Sequence, residues 1–309
     1  MKIKFSVCSD YHLHPQYPIT ADGLKTIIER AKENKVDAML HCGDFVIDLK
    51  NQRNALDMFL HNDASIPAFG CYGNHELELT ATLEELNAAY GVKNSYYYLD
   101  LKGFRFVITD ANFYEKDGEI FRYSGFSVGG PVGGYDHNRL GAEQLDWLKN
   151  TLLSSPYPCI ILSHASLLGK PGSSRDSDKV REIINEVNKK TPKKVLMCLN
   201  GHHHSDSIDV LDNVVYFNIN AVYMGGWKKE KHDKFPREFS EKYRSADNCA
   251  FFNDPLNAIV SVDSEGVIDI EGMETTYLYD VSAQDIGLPL HVAIGDLVPR
   301  ISSAHIELD

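Results

Sequence analysis

The chain has 309 residues, 43% of them hydrophobic and 24% charged, enough for a sizeable buried core. A formal net charge of −13 argues against a protein that wraps nucleic acid phosphates. It does not exclude a small phosphate-bearing ligand, which local metals or basic groups can attract.

Along the first hundred residues, strand and helix signals alternate. "IKFSVCS" reads as a strand, and Leu24, Ile27, Ile28 and Ala31 mark one face of a helix. "VDAMLHC" is a buried strand, residues 50–61 a helix, and "IPAFGCYG" another strand, the signature of βαβ units. "YYYLDLKGFRFVITD" is expected to form a hairpin turning at Lys102-Gly103. Residues 111–139 look irregular, rich in Gly and aromatics. Leu145, Leu148 and Leu152 then line a helix over 143–153. "CIILSH" is a strand, Val180, Ile183, Ile184 and Val187 mark a helix, and "KKVLMCLNG" is a strand. Hairpins follow at Asp212-Asn213 and near Ser264–Gly266, with an irregular basic stretch at 228–244 between them. Parallel crossovers mixed with hairpins predict an α/β protein with mixed sheets flanked by helices.

Residues 1–280 are expected to form one catalytic domain, with 281–309 an extension packed on it. No cationic segment precedes a long apolar run, so neither an export signal nor a membrane span is expected, and a cytoplasmic location follows. Five of the six cysteines lie in or beside strand-like apolar runs, where they read as reduced core thiols.

Several predicted strands end on polar groups: Asp10 and His12, Asp44, Asn74 and His75, His164, and His202 and His204. Ligand sites of open α/β sheets lie beyond the carboxyl ends of strands, so these groups should converge. Alone, each has a bland reading, as a cap, a turn residue or a bonded boundary histidine. Two carboxylates, an amide and four imidazoles after successive strands are harder to explain by packing. If the backbone stays extended, residues i and i+2 face the same way. Asp10 could then share an ion with His12, and His202 with His204, while His203 points away. Carboxylate and imidazole ligands suit ions of the Mn, Fe, Zn class better than Mg or Ca.

The ordered blocks Asp10-x-His12, Gly43-Asp44, Gly73-Asn74-His75, His164 and Gly201-His202-x-His204 resemble the calcineurin-like metallophosphoesterase superfamily. "LGAEQLDWLKNTL" before "LSH" is similar to its cyclic-nucleotide phosphodiesterase and ADP-ribose/CDP-alcohol diphosphatase branches. The resemblance implies a four-layer α/β/β/α sandwich and two divalent or mixed-valence transition metal ions. Asp10, His12, Asp44 and His204 would hold one ion; Asp44, Asn74, His164 and His202 would hold the other. It further implies in-line attack by a bridging hydroxide on a small phosphodiester or pyrophosphate of nucleotide-like character, with His75 as the catalytic acid.

One position departs from the pattern. Family members often carry an acid or amide three residues after the Asp44 equivalent, where it orients the catalytic histidine. Here that position is Ile47, so the expected partner of His75 is Asp48, Glu76 or another group. "AIGDLVP" around Asp296 mimics the Gly-Asp block but comes after the last histidine block, so Asp296 is expected in a turn. His14 and His41 adjoin the motifs and read equally well as structural. Phe113, Tyr135 or Trp227 could stack a base, and Lys228 and Lys229 could face a phosphate.

The alternatives are a phosphomonoesterase, a DNA nuclease of the same superfamily, and a metal-free interaction scaffold. The acidic balance disfavours the nuclease, and the complete set of metal-binding residue types disfavours the scaffold.

Overall fold

The structure, a computed structural model, describes residues 1–77, 82–122 and 136–309. Two six-stranded sheets carry it. In the first, strands Lys2–Cys8, Ala38–His41 and Ala68–Gly70 run parallel to one another. Ala258–Asp263, Val267–Glu271 and Ala304–Glu307 add antiparallel on the other side of Lys2–Cys8. In the second, Phe104–Ile108, Cys159–Leu162, Val195–Asn200 and Val214–Asn218 are parallel. Tyr97–Leu101 and Ser207–Leu211 close its two edges antiparallel.

Strand alternation sets the layers. Ile3, Phe5 and Val7 of the first sheet meet Phe104, Phe106 and Ile108 of the second in one buried cluster, with the Phe5 and Phe106 rings edge to face at 5.8 Å. The outer face of the first sheet packs Cys8 and Met39 against helices α1 (Asp22–Glu33), α2 (Leu49–Leu60) and α3 (Leu83–Tyr90). The outer face of the second packs Val107 and Ile161 against α4 (Ala142–Ser154) and α5 (Ser177–Lys190). Three apolar interfaces between four layers make an α/β/β/α sandwich. All six cysteines are buried and free.

The expected hairpins at Lys102-Gly103 and Asp212-Asn213 form, each with positive φ at both turn residues, as the tightest hairpin turns require. Three elements differ from expectation. Residues 111–139 are not wholly irregular: Phe113–Lys116 and Glu119–Arg122 form a hairpin, and Asp136–Arg139 pairs with its first strand. Its Asp117-Gly118 turn is a standard hairpin signal hidden among glycines and aromatics. Helix α3 was not expected, although Thr82 and Glu85 form the reciprocal capping box that its sequence allows. Within 228–244, Arg237–Lys242 forms a short helix. No helix among the described residues is long and apolar enough to cross a membrane.

Candidate metal centre

Each site block begins one to three residues past the end of a parallel strand, after Cys8, His41, Gly70, Leu162 and Asn200. The parallel pairing brings these ends to one edge. The connecting turns are then bonded to one another: Asp10 N donates to Gly43 O at 3.0 Å, His12 N to Asp44 O at 2.9 Å, and Gly201 N to His164 O at 3.1 Å.

The extended-backbone argument for pairing i with i+2 does not hold. Asp10, His12, Asp44, His202 and His204 have φ of 52°, 49°, 51°, 72° and 49°, in the left-handed region. The strands stop before the blocks begin, and the chain turns sharply. Asp and His tolerate that conformation better than most residues, at a cost of order 1–2 kcal/mol each. Five such residues around one point are local strain that the surrounding packing maintains. Gly43 has φ 93°, and a Cβ there would lie 2.5 Å from His164 Nδ1, so only glycine lets these two blocks touch.

The turns gather the side chains into two groups, Asp10-His12-His204 and Asp44-His164-His202, joined by a third of His12, Asp44 and His75. In the first, His12 Nε2 lies 2.8 Å from His204 Nε2, and Asp10 Oδ1 lies 3.6 and 3.4 Å from the two nitrogens. Three atoms so spaced lie on a circle of about 1.9 Å radius, so a point roughly 2.1 Å from all three exists, the length of a transition-metal bond to N or O. Asp10 Oδ1 is buried without a hydrogen-bond partner, while Oδ2 accepts from Ser9 Oγ at 2.5 Å and His202 N at 2.9 Å. The unpartnered oxygen is the one that faces the imidazoles.

In the second group, His164 Nε2 lies 3.1 Å from Asp44 Oδ2, 3.1 Å from His202 Nδ1 and 3.2 Å from Asn74 Oδ1. Asp44 Oδ2 is also 3.8 Å from His12 Nε2 and 3.9 Å from His75 Nε2, so one carboxylate oxygen stands between the two groups. Its other oxygen accepts from His75 N at 2.8 Å. The donor set, with two carboxylates, an amide oxygen and four imidazoles, suits borderline transition ions.

Charge follows this packing. Burial opposes ionisation of Asp10 and Asp44, but the surrounding imidazoles overcome it and hold both carboxyls well below the usual range. Burial lowers His12 to about 4 and His202 well below an ordinary histidine, so both rings stay neutral with lone pairs available. For His164, burial is outweighed by Asp44 and Asp10, which push it up to about 10. His164 Nε2 and Asp44 Oδ2, 3.1 Å apart, are thus an ion pair in the metal-free chain.

His75 is the least buried ring, its side chain 31% exposed, and it packs edge to face on His12 at 4.8 Å. Neither expected partner is arranged to serve it. Asp48 caps helix α2, accepting from Asn51 N at 3.3 Å. Glu76 is buried and accepts from the backbone N–H groups of Gly73 (2.7 Å), Asp44 (2.9 Å), Val46 (3.3 Å) and Phe45. It therefore clamps the Asp44 turn to the Asn74 turn. Burial first, then Asp44, push its carboxyl up to about 7.

His203 belongs to none of the ligand groups among the described residues. His41 is buried against Phe45, Phe59 and Tyr90, and His14 lies beside Tyr17, both outside the groups. Asp296 bonds to His291 Nδ1 at 2.6 Å in a two-residue strand, not in a loose turn. Sequence reasoning missed Asn138, whose Nδ2 sits 3.3 Å from His202 Nε2 and so fixes the outer edge of that ring. No local pattern marks it.

A cavity of about 710 Å³ opens over His12, Asp44, Asn74, His75, His202 and His204, within the range of small-molecule sites. Trp227 also lines it; Phe113 is not among the lining residues and lies under the Arg122 guanidinium. Tyr135 falls outside the described residues. Lys228 Nζ donates to Ile286 O at 2.7 Å, away from the ligands, and Lys229 is not among the cavity residues.

The calcineurin-like phosphoesterase family model matches residues 3–206. No curated protein matches the chain in sequence. A dimetal phosphatase from Danio rerio is similar in structure, with a TM-score of 0.59 and 15% identity, over 89% of this chain and 98% of that one. GAP50, the anchor in the inner membrane complex of Plasmodium, has a TM-score of 0.50 and 14% identity, over 87% and 84%. At such identities the neighbours speak for the fold alone, while the family match spans about two thirds of this chain and every site block up to His204. The chain belongs to the calcineurin-like phosphoesterase family, and phosphoester hydrolysis is its reaction class.

Proposed function

We propose that this phosphoesterase hydrolyses a phosphodiester or pyrophosphate bond in a small nucleotide-like molecule, using two transition metal ions of the Mn, Fe, Zn class. Asp10, His12, Asp44 and His204 hold one ion, and Asp44, Asn74, His164 and His202 the other. The observation that carries this reading is the placement of Asp44 Oδ2, 3.1 Å from a nitrogen of one group and 3.8 Å from a nitrogen of the other. A paired centre of this type supplies Lewis acidity and water of lowered pKa for in-line displacement at phosphorus.

The chain's own residues do the rest. Asn74 contributes a neutral oxygen where a third carboxylate would cancel positive charge, which preserves attraction for an anionic phosphate. His75, half-buried in the cavity lining beside Asp44, protonates the departing alkoxide. Asn138 keeps His202 in one orientation, and Glu76 keeps Asp44 in its strained turn.

Elemental analysis of purified protein tests the reading, followed by turnover of phosphomonoesters, cyclic nucleotides, nucleoside diphosphate conjugates and single-stranded DNA. Two ions per chain and turnover of small diesters or pyrophosphates are expected. Binding of fewer than two ions, or preference for monoesters or DNA, overturns it.

A further inference from the structure

The wall of the cavity facing the ligand cluster comes from residues beyond the family match, which ends at 206. Met224, Gly226, Trp227, Leu288, Val292 and Leu297 line it, and no lysine or arginine lines the cavity among the described residues. The wall is built in place. Leu288 N donates to Ala283 O at 2.9 Å, and Leu297 N to Leu290 O at 2.8 Å. Lys228 ties the same segment to the strand Met224–Trp227 through Ile286 O. Gly226, at φ 136°, permits close packing, because a Cβ there would lie 2.7 Å from Leu288 Cδ1.

The wall is also held in register with the metal ligands. Asp206 and Asp296 exchange backbone hydrogen bonds at 2.9 and 3.1 Å, and Ser205 Oγ donates to Ile294 O, directly after His202 and His204. The Gly295-Asp296 pair thus links the histidine turn to the apolar wall. Trp227 nonetheless leaves 57% of its surface exposed, an unusual state for a tryptophan beside a cavity unless something covers it.

We infer that Trp227, with Leu288 and Val292, is the specificity-determining surface of the site and takes a flat, uncharged ring of the substrate, a nucleobase or aryl group, by stacking and apolar contact. This deepens the phosphohydrolase reading and rests on it. The phosphoryl group occupies the ligand side, and the ring covers the indole across the cavity. Without a cation on the wall among the described residues, a second phosphate there has no counter-charge, which favours a phosphodiester bearing a ring over a pyrophosphate. Among the described residues the wall offers no charged group to read base edges, so ring shape is selected over base identity.

The test uses metal-loaded full-length protein and two non-hydrolysable probes, phenylphosphonate and methylphosphonate, with affinities measured by calorimetry and by tryptophan fluorescence. The wild type is expected to bind phenylphosphonate about tenfold more tightly, the order that one stacked ring gives. Trp227→Ala, a change at an exposed position that the fold tolerates, brings the ratio close to one. Leu288→Ala lowers it by a smaller factor and serves as the second variant. If both phosphonates bind the wild type equally, or the Trp227→Ala ratio stays near ten, this inference fails and the metal centre stands. If neither probe binds to loaded protein, this inference fails as well, while the phosphohydrolase reading is decided separately by turnover of the substrate panel.

Discussion

Glu76→Gln removes one formal charge and no atoms of bulk, yet it strikes the clamp between two site turns. Glu76 Oε2 accepts from Gly73 N and Asp44 N, and Oε1 from Phe45 N and Val46 N. A glutamine has one oxygen and one NH₂, so whichever way it lies, two backbone donors face another donor. Each buried donor left unsatisfied costs about 1–3 kcal/mol, which puts the loss at roughly 2–6 kcal/mol. At about 2–4 °C per kcal/mol for a large domain, the unfolding midpoint should fall by roughly 4–24 °C. The Asp44 turn, at φ 51°, is the strained element released. Both ions should therefore weaken together. Differential scanning calorimetry of chelated and metal-loaded protein reads the first effect, and metal titration the second. An unchanged midpoint with unchanged metal affinity would show that those N–H groups find other acceptors, and the clamp argument would fall.

His75→Ala is expected to keep both ions while turnover drops by roughly 10² to 10⁴, the range of a lost general acid. Metal loss measured in that variant would place His75 in the ligand set, where its nearness to His12 and Asp44 also permits it. Asp44→Asn should lower occupancy of both ions in parallel, and elemental analysis showing only one lost would contradict the bridging role. The pKa of His164 is raised in the folded chain to about 10 from an ordinary 6.5. Its contribution to metal-free stability is thus fully present below 6.5 and is lost as pH rises through 10. Metal binding needs the neutral ring, so the gap in melting temperature between loaded and chelated protein should widen from pH 6.5 to 10. A constant gap, followed by thermal shift, would refute that.

The sequence by itself determined which polar residue types stand past the strand ends and how strands and helices alternate. Strand ends and helix faces are local: Leu24, Ile27, Ile28 and Ala31 all bury as their spacing requires. Polar residues after successive apolar runs have one common location in a parallel sheet, the carboxyl edge. The hairpin at Asp117-Gly118 and the capping box at Thr82 were equally local but lay in stretches where glycines or charges obscured them. Three matters needed the folded chain. The left-handed turns at Asp10, His12, Asp44, His202 and His204 come from backbone bonds between blocks far apart in sequence, so no period could express them. The duty of Glu76 depends on four N–H groups that exist as a cluster only once two turns meet. The apolar wall joins Trp227 to Leu288 and Val292, whose proximity follows from packing and two backbone links to the histidine turn. Side-chain chemistry is written residue by residue, whereas the distances that make it a site arise from long-range contacts.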